Sequence, residues 1–214
     1  MTMLSTRQFA FLSMSWAALV SVEATAAECF GNSPSKNRGL PLTAEIAIKN
    51  IASDEYQTLE RLIKNMEGFW NGTATEINCK GDASATAEEK HEYKVHVHAT
   101  TKYMPVEDTQ SLKFRATWEG KTRNTTKLEN FRFFLTQDRL RLDRNIPAGD
   151  VEIIKIEDNF LVLTKKTNVR NRAGGVVAQE IVRSYLLTHN TLSIEYLAYS
   201  NGRLVAKSHW ELRH

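Results

Sequence analysis

The stretch Leu59-Glu60-Arg61-Leu62-Ile63-Lys64-Asn65-Met66-Glu67-Gly68-Phe69-Trp70-Asn71-Gly72-Thr73 changes its hydrophobic period at Gly68. Before the glycine, Leu59, Leu62, Ile63 and Met66 recur at helical spacing, and Ser53-Asp54 upstream forms an N-cap signal. Gly68 supplies a helix stop. After it the apolar residues alternate, as they do along half-buried strands, almost to His214. Tyr93, Val95, Val97 and Ala99 alternate with Glu92, Lys94, His96 and His98. Leu112, Phe114, Ala116 and Trp118 repeat the pattern, and Phe131, Phe133 and Leu135 continue it.

The second half reads the same way. Val151 to Ile156 and Phe160 to Leu163 flank a turn at Glu157-Asp158-Asn159. Gly174-Gly175 opens a run to Leu187, and His189-Asn190 turns it into Leu192 to Tyr199. Asn201-Gly202 is the strongest hairpin signal in the chain, because both residues tolerate positive φ. In the last run Leu204, Ala206, Trp210 and Leu212 are expected on one face, with Lys207, His209, Glu211 and Arg213 on the other. These runs make about ten strands joined mainly by short turns, with no helix between them long enough for a parallel crossover. The expected fold is mainly β: an antiparallel up-and-down barrel with a preceding N-terminal α-helix. Closure removes the exposed edges that an open sheet would leave. Two packed sheets are the alternative.

The chain has 214 residues and a net charge of +3. Arg7, an apolar stretch from Phe9 to Val22 and the small residues Ala24-Thr25-Ala26 form an export signal over residues 1–26. The stretch falls short of the ~20 apolar residues a membrane span requires. Removal of the signal leaves about 188 residues, the size of one large domain. Residues 27–52 are expected as an extension or linker, with 30–42 poorly ordered on the strength of Gly31, Pro34, Gly39 and Pro41. Residues 53–214 then hold the helix and barrel. The expected location is periplasmic or secreted. Cys29 and Cys79, an even pair in an exported chain, are expected to form a disulfide. Lysines and arginines alternate with acids rather than forming blocks, which argues against a nucleic-acid partner.

The helix before Gly68-Phe69-Trp70, the meander that follows and Arg213 on the final strand resemble the calycin superfamily of lipocalin-like barrels. The resemblance implies that Trp70 closes one barrel end with Arg213 packed across its ring as a cation–π contact. It also implies an interior that holds a small ligand. The Gly202 hairpin followed by Ser208-His209-Trp210 is similar to nitrobindin-like haem barrels, which would make His209 an axial ligand. Alternation places His209 beside Lys207 and Glu211, away from the apolar face.

With the barrel closed, Tyr93, Phe114, Trp118, Phe131, Phe133, Tyr196 and Trp210 are expected to line the interior. The expected function is non-catalytic binding of a small hydrophobic or amphipathic ligand, with no cofactor unless the haem reading holds. The competing reading is an envelope protein with a fully packed barrel that docks a protein partner. His96 and His98 share a strand face, yet no third metal ligand accompanies them. No nucleophile turn, phosphate loop or cysteine-rich site gives catalysis residue-level support.

Overall fold

The computed structural model describes residues 28–42, 50–82, 84–120, 126–144, 146–170 and 174–214. Residues 1–26, expected as an export signal, and residues 43–49 of the expected linker therefore lie outside the described residues. Two helices, α1 (Pro34–Asn37) and α2 (Ser53–Asn65), precede the strands. The strands are β1 (Gly68–Asp82), β2 (Ala85–Met104), β3 (Thr109–Gly120), β4 (Thr126–Leu135), β5 (Leu140–Arg144) and β6 (Ile146–Asp150). They continue with β7 (Glu152–Glu157), β8 (Phe160–Arg170), β9 (Val176–Leu187), β10 (Thr191–Ser200) and β11 (Arg203–Arg213).

All sit in one antiparallel sheet of order β6-β5-β4-β3-β2-β1-β11-β10-β9-β8-β7. The first strand pairs with the last, Ala74 opposite Trp210. The two ends of the sheet, β6 and β7, are successive halves of one segment that meet at Val151. The first half pairs with β5 and the second with β8, while the Val151 N–H donates to the Leu140 carbonyl. The result is a nearly closed up-and-down barrel with ten staves. Asn201 (φ 47°) and Gly202 (φ 73°) make the tight turn their types suggested.

Helix α2 stands at one end of the barrel with Leu59, Leu62 and Ile63 buried. Its N-cap is Ala52 rather than Ser53, and Glu55 accepts the Ala52 N–H at 3.1 Å, so a carboxylate one turn in serves where the cap has no side-chain oxygen. Gly68 follows with φ 137°, and a β-carbon there would lie 2.5 Å from the His214 ring. That missing side chain lets His214 lie edge-on to Trp70, with ring centroids 4.8 Å apart. The Trp70 indole N–H donates to the Met66 carbonyl at 2.9 Å, which fixes the helix end to the first strand.

The segment expected to be poorly ordered is instead docked. Phe30 donates to Leu204, Leu204 to Gly31 and Ser33 to Gly202, so residues 30–33 lie beside the start of β11. They take the place β1 vacates, because β1 and β11 pair only as far as Asn78 and Ala206. The Cys29–Cys79 disulfide ties the two segments where one replaces the other. Ser35, buried in α1 just past this strap, donates to Glu180 at 2.9 Å. A register shift at Ala198/Tyr199 skips Val205 of β11. Leu204 therefore leaves the face of Ala206, Trp210 and Leu212 and joins Val182 and Tyr199 in a separate buried cluster.

Burial first, then the nearby Glu180 and Glu195, push the Tyr199 pKa up to about 12. Its neutral hydroxyl is favoured by the fold, so that contribution is intact below pH ~10 and is lost as pH rises towards 12. Tyr199→Phe is expected to flatten the alkaline loss of stability in a pH-resolved urea titration. Replacing Cys29 and Cys79 together with serine should cost roughly 2–4 kcal/mol of unfolding free energy. It should also speed amide exchange at Phe30 and Leu204. Unchanged exchange there would mean that the strap holds without its staple.

Candidate functional site

Inward side chains grade from apolar beneath α2 to polar at the far end. Leu112, Leu135, Leu187, Leu192 and Leu212 fill the helix end with Trp70. Phe114, Phe131, Phe133 and Tyr185 follow as a knot of rings, Phe114 stacked on Phe131 at 4.5 Å and Phe133 edge-on to Tyr185 at 5.4 Å. Beyond that knot the interior changes character.

Arg183 on β9 points into the barrel at 4% exposure. Its register partner across the ladder is Tyr196 of β10. The guanidinium lies between two rings, 4.8 Å from the Phe131 centroid and 5.1 Å from that of Tyr196. This arrangement favours a desolvated cation. Nη2 is 3.6 Å from Glu129 Oε1, and Nη1 donates to the Tyr185 hydroxyl at 3.5 Å. Burial opposes the charge, yet Tyr185 and Glu129 more than offset it and hold the pKa above the ordinary arginine value. Arg183 Nε and the indole Nε1 of Trp118 are both buried without a hydrogen-bond partner.

Both residues line a cavity of about 40 Å³ in the end of the barrel away from α2. Its apolar walls are Trp118, Phe131, Ile194, Tyr196 and Trp210, and its polar groups include Glu76, Lys127, Glu129, Lys207 and Ser208. Trp210 is edge-on to Trp118 at 4.6 Å and donates to Ser208 at 3.2 Å. At the rim Lys127 lies 4.6 Å over the Trp118 ring and 3.1 Å from Glu76. Tyr93, half-buried, meets Trp118 edge-on at 5.2 Å, and burial followed by Glu76 raises its pKa. A wider hollow at the helix end, bounded by Asp158, His189 and His214 among others, is open to solvent. None of the buried side-chain atoms left without a partner lies there among the described residues.

Of the seven expected lining residues, the structure brings Trp118, Phe131, Tyr196 and Trp210 to this cavity. Tyr93 stands at its edge, whereas Phe114 and Phe133 are fully packed in the ring knot. Trp70 sits in the helix-end core, and its ring neighbour is His214. Arg213 is exposed on the opposite strand face from the buried Leu212. His209 is likewise on the outer face, 3.4 Å from Glu211, so it does not form an axial haem site inside the barrel. His98 stacks on the exposed Phe69 at 4.2 Å, and His96 Nδ1 lies 2.7 Å from Asn71.

Arg183 and Glu129 were not legible as site residues. The one sequence signal is Arg183-x-Tyr185, which puts a cation on the strand face that carries a large aromatic. No helix among the described residues is long and apolar enough to cross a membrane. No protein-family model matches this chain, and no curated protein matches it either.

Arg183→Met should remove the countercharge facing buried Glu129 and lower stability by about 3–5 kcal/mol. Adding Glu129→Leu should recover most of that loss in the double variant. Additive losses in a double-mutant cycle would show that the two side chains do not act as a pair.

Proposed function

We propose that this protein is an exported, non-catalytic binding protein that holds a small amphipathic molecule at the polar end of a calycin-like barrel. The observation that carries the reading is a pair of buried, unpartnered donors, Arg183 Nε and Trp118 Nε1, on two side chains that line one aromatic-walled cavity. A buried N–H without an acceptor costs roughly 1–3 kcal/mol, and a ligand acceptor relieves that cost on binding. The apolar walls supply the remaining affinity by burying ligand surface.

The ten-stave meander with β1 paired to β11 is compatible with a calycin-like barrel. The disulfide fits an oxidising compartment outside the cytoplasm, in keeping with the signal-like residues 1–26 and a periplasmic or secreted location. Packing in the Phe114–Phe133 knot confines the ligand to the far end, so a long acyl chain running the length of the barrel does not suit this interior.

Native mass spectrometry of the protein isolated from its own cells is expected to show an added small-molecule mass. Trp118→Ala should remove that mass from a folded protein. Phe133→Ala should retain it, while lowering stability by about 3–5 kcal/mol. A bare polypeptide for wild type, with no small molecule bound in solution, would point to a packed scaffold instead.

A further inference from the structure

The charges around the cavity are already matched. Arg183 faces Glu129 at 3.6 Å, Lys127 faces Glu76 at 3.1 Å, and Lys207 faces Glu88 at 3.4 Å. An anion entering this end would give up its hydration while competing with a carboxylate for each cation. What remains unmet at the cavity is two N–H donors with no acceptor, one on an indole and one on a guanidinium whose charge Glu129 already faces. The indole N–H of Trp118 only donates, and so does the guanidinium Nε–H. A carbonyl oxygen has two lone pairs and can accept from both.

From these two unmet donors beside one cavity we infer that the ligand is a neutral carbonyl compound (a ketone, ester, lactone or amide) whose oxygen accepts from Trp118 and Arg183. The inference rests on the binding function proposed above. The cavity of about 40 Å³ has room for roughly three water-sized groups, enough for a carbonyl and its immediate substituents. The rest of the molecule lies towards the rim, against the faces of Tyr196 and Trp210 and the stem of Lys127. Glu129 sets the preference: it neutralises the guanidinium and leaves its Nε–H as a donor for an uncharged partner.

Three probes of similar size separate the possibilities. Acetophenone carries a neutral acceptor, benzoate an anionic one and toluene none. Each is titrated into the disulfide-intact protein while the Trp118 indole N–H signal is followed by proton–nitrogen NMR, assigned by comparison with Trp118→Phe. Acetophenone is expected to shift that signal saturably and to bind about tenfold more tightly than benzoate or toluene, the scale of one hydrogen bond. Trp118→Phe should bring acetophenone down to the toluene level, and Glu129→Gln should move the preference towards benzoate. If either variant fails to fold, the three-probe comparison on wild type decides the matter alone.

Benzoate equal to or tighter than acetophenone would overturn the inference in favour of an anion site and leave the binding function standing. Toluene equal to acetophenone would overturn it in favour of a purely apolar site. No saturable shift with any probe would also overturn it. The binding function itself would fall only if the protein from its own cells also proved empty.

Discussion

The pairing of β1 with both β2 and β11 is the constraint from which the rest of the structure follows. It turns a meander with two loose edges into a wall that encloses its own side chains. Once the wall closes, alternate residues point inwards along each stretch of unbroken register. The partner change at Val151 completes the enclosure without a further strand, since Ile146–Asp150 serves β5 and Glu152–Glu157 serves β8. At the far end β1 parts from β11, and the strap of residues 30–33 continues the contact under the Cys29–Cys79 tie.

Enclosure makes Arg183 the least ordinary residue of the interior. A guanidinium 4% exposed has lost nearly all its hydration and must find replacements within the barrel. Glu129, the Tyr185 hydroxyl and the faces of Phe131 and Tyr196 supply them for the terminal nitrogens. They do not supply one for Nε, nor does anything answer the Trp118 indole. Hydrophobic residues of similar volume fill such a place at least as stably as a buried ion pair does. Stability alone therefore gives little reason for this arrangement, whereas the proposed recognition of a polar group would give one. The apolar end under α2 and the ring knot pack the wall behind that cavity.

Much of the wall could be read from the sequence because most strands bury one face and wet the other. Tyr93 to Ala99 and Leu112 to Trp118 alternate for that reason, and Asn201-Gly202 turns because both residues accept positive φ. The same logic fails on β9. There the strap covers the outer face, so Ala178, Glu180 and Val182 are buried on one side while Arg183, Tyr185 and Leu187 are buried on the other. With both faces enclosed the period-two signal loses its polar half, and Arg183 reads as an ordinary surface charge. The strap itself looked like a linker because its hydrogen bonds go to residues about 170 positions away, such as Phe30 to Leu204, which local composition cannot register. Leu204 was misplaced for a related reason, since one skipped residue, Val205, inverts the alternation.

The most direct test of this account is a high-resolution crystal structure of the protein isolated from its own cells, read at the cavity between Trp118 and Arg183. The account predicts electron density for a small organic group, larger than water, within hydrogen-bond reach of both Nε1 and Nε. Water alone in the cavity, or a protein oxygen satisfying both donors, would contradict it.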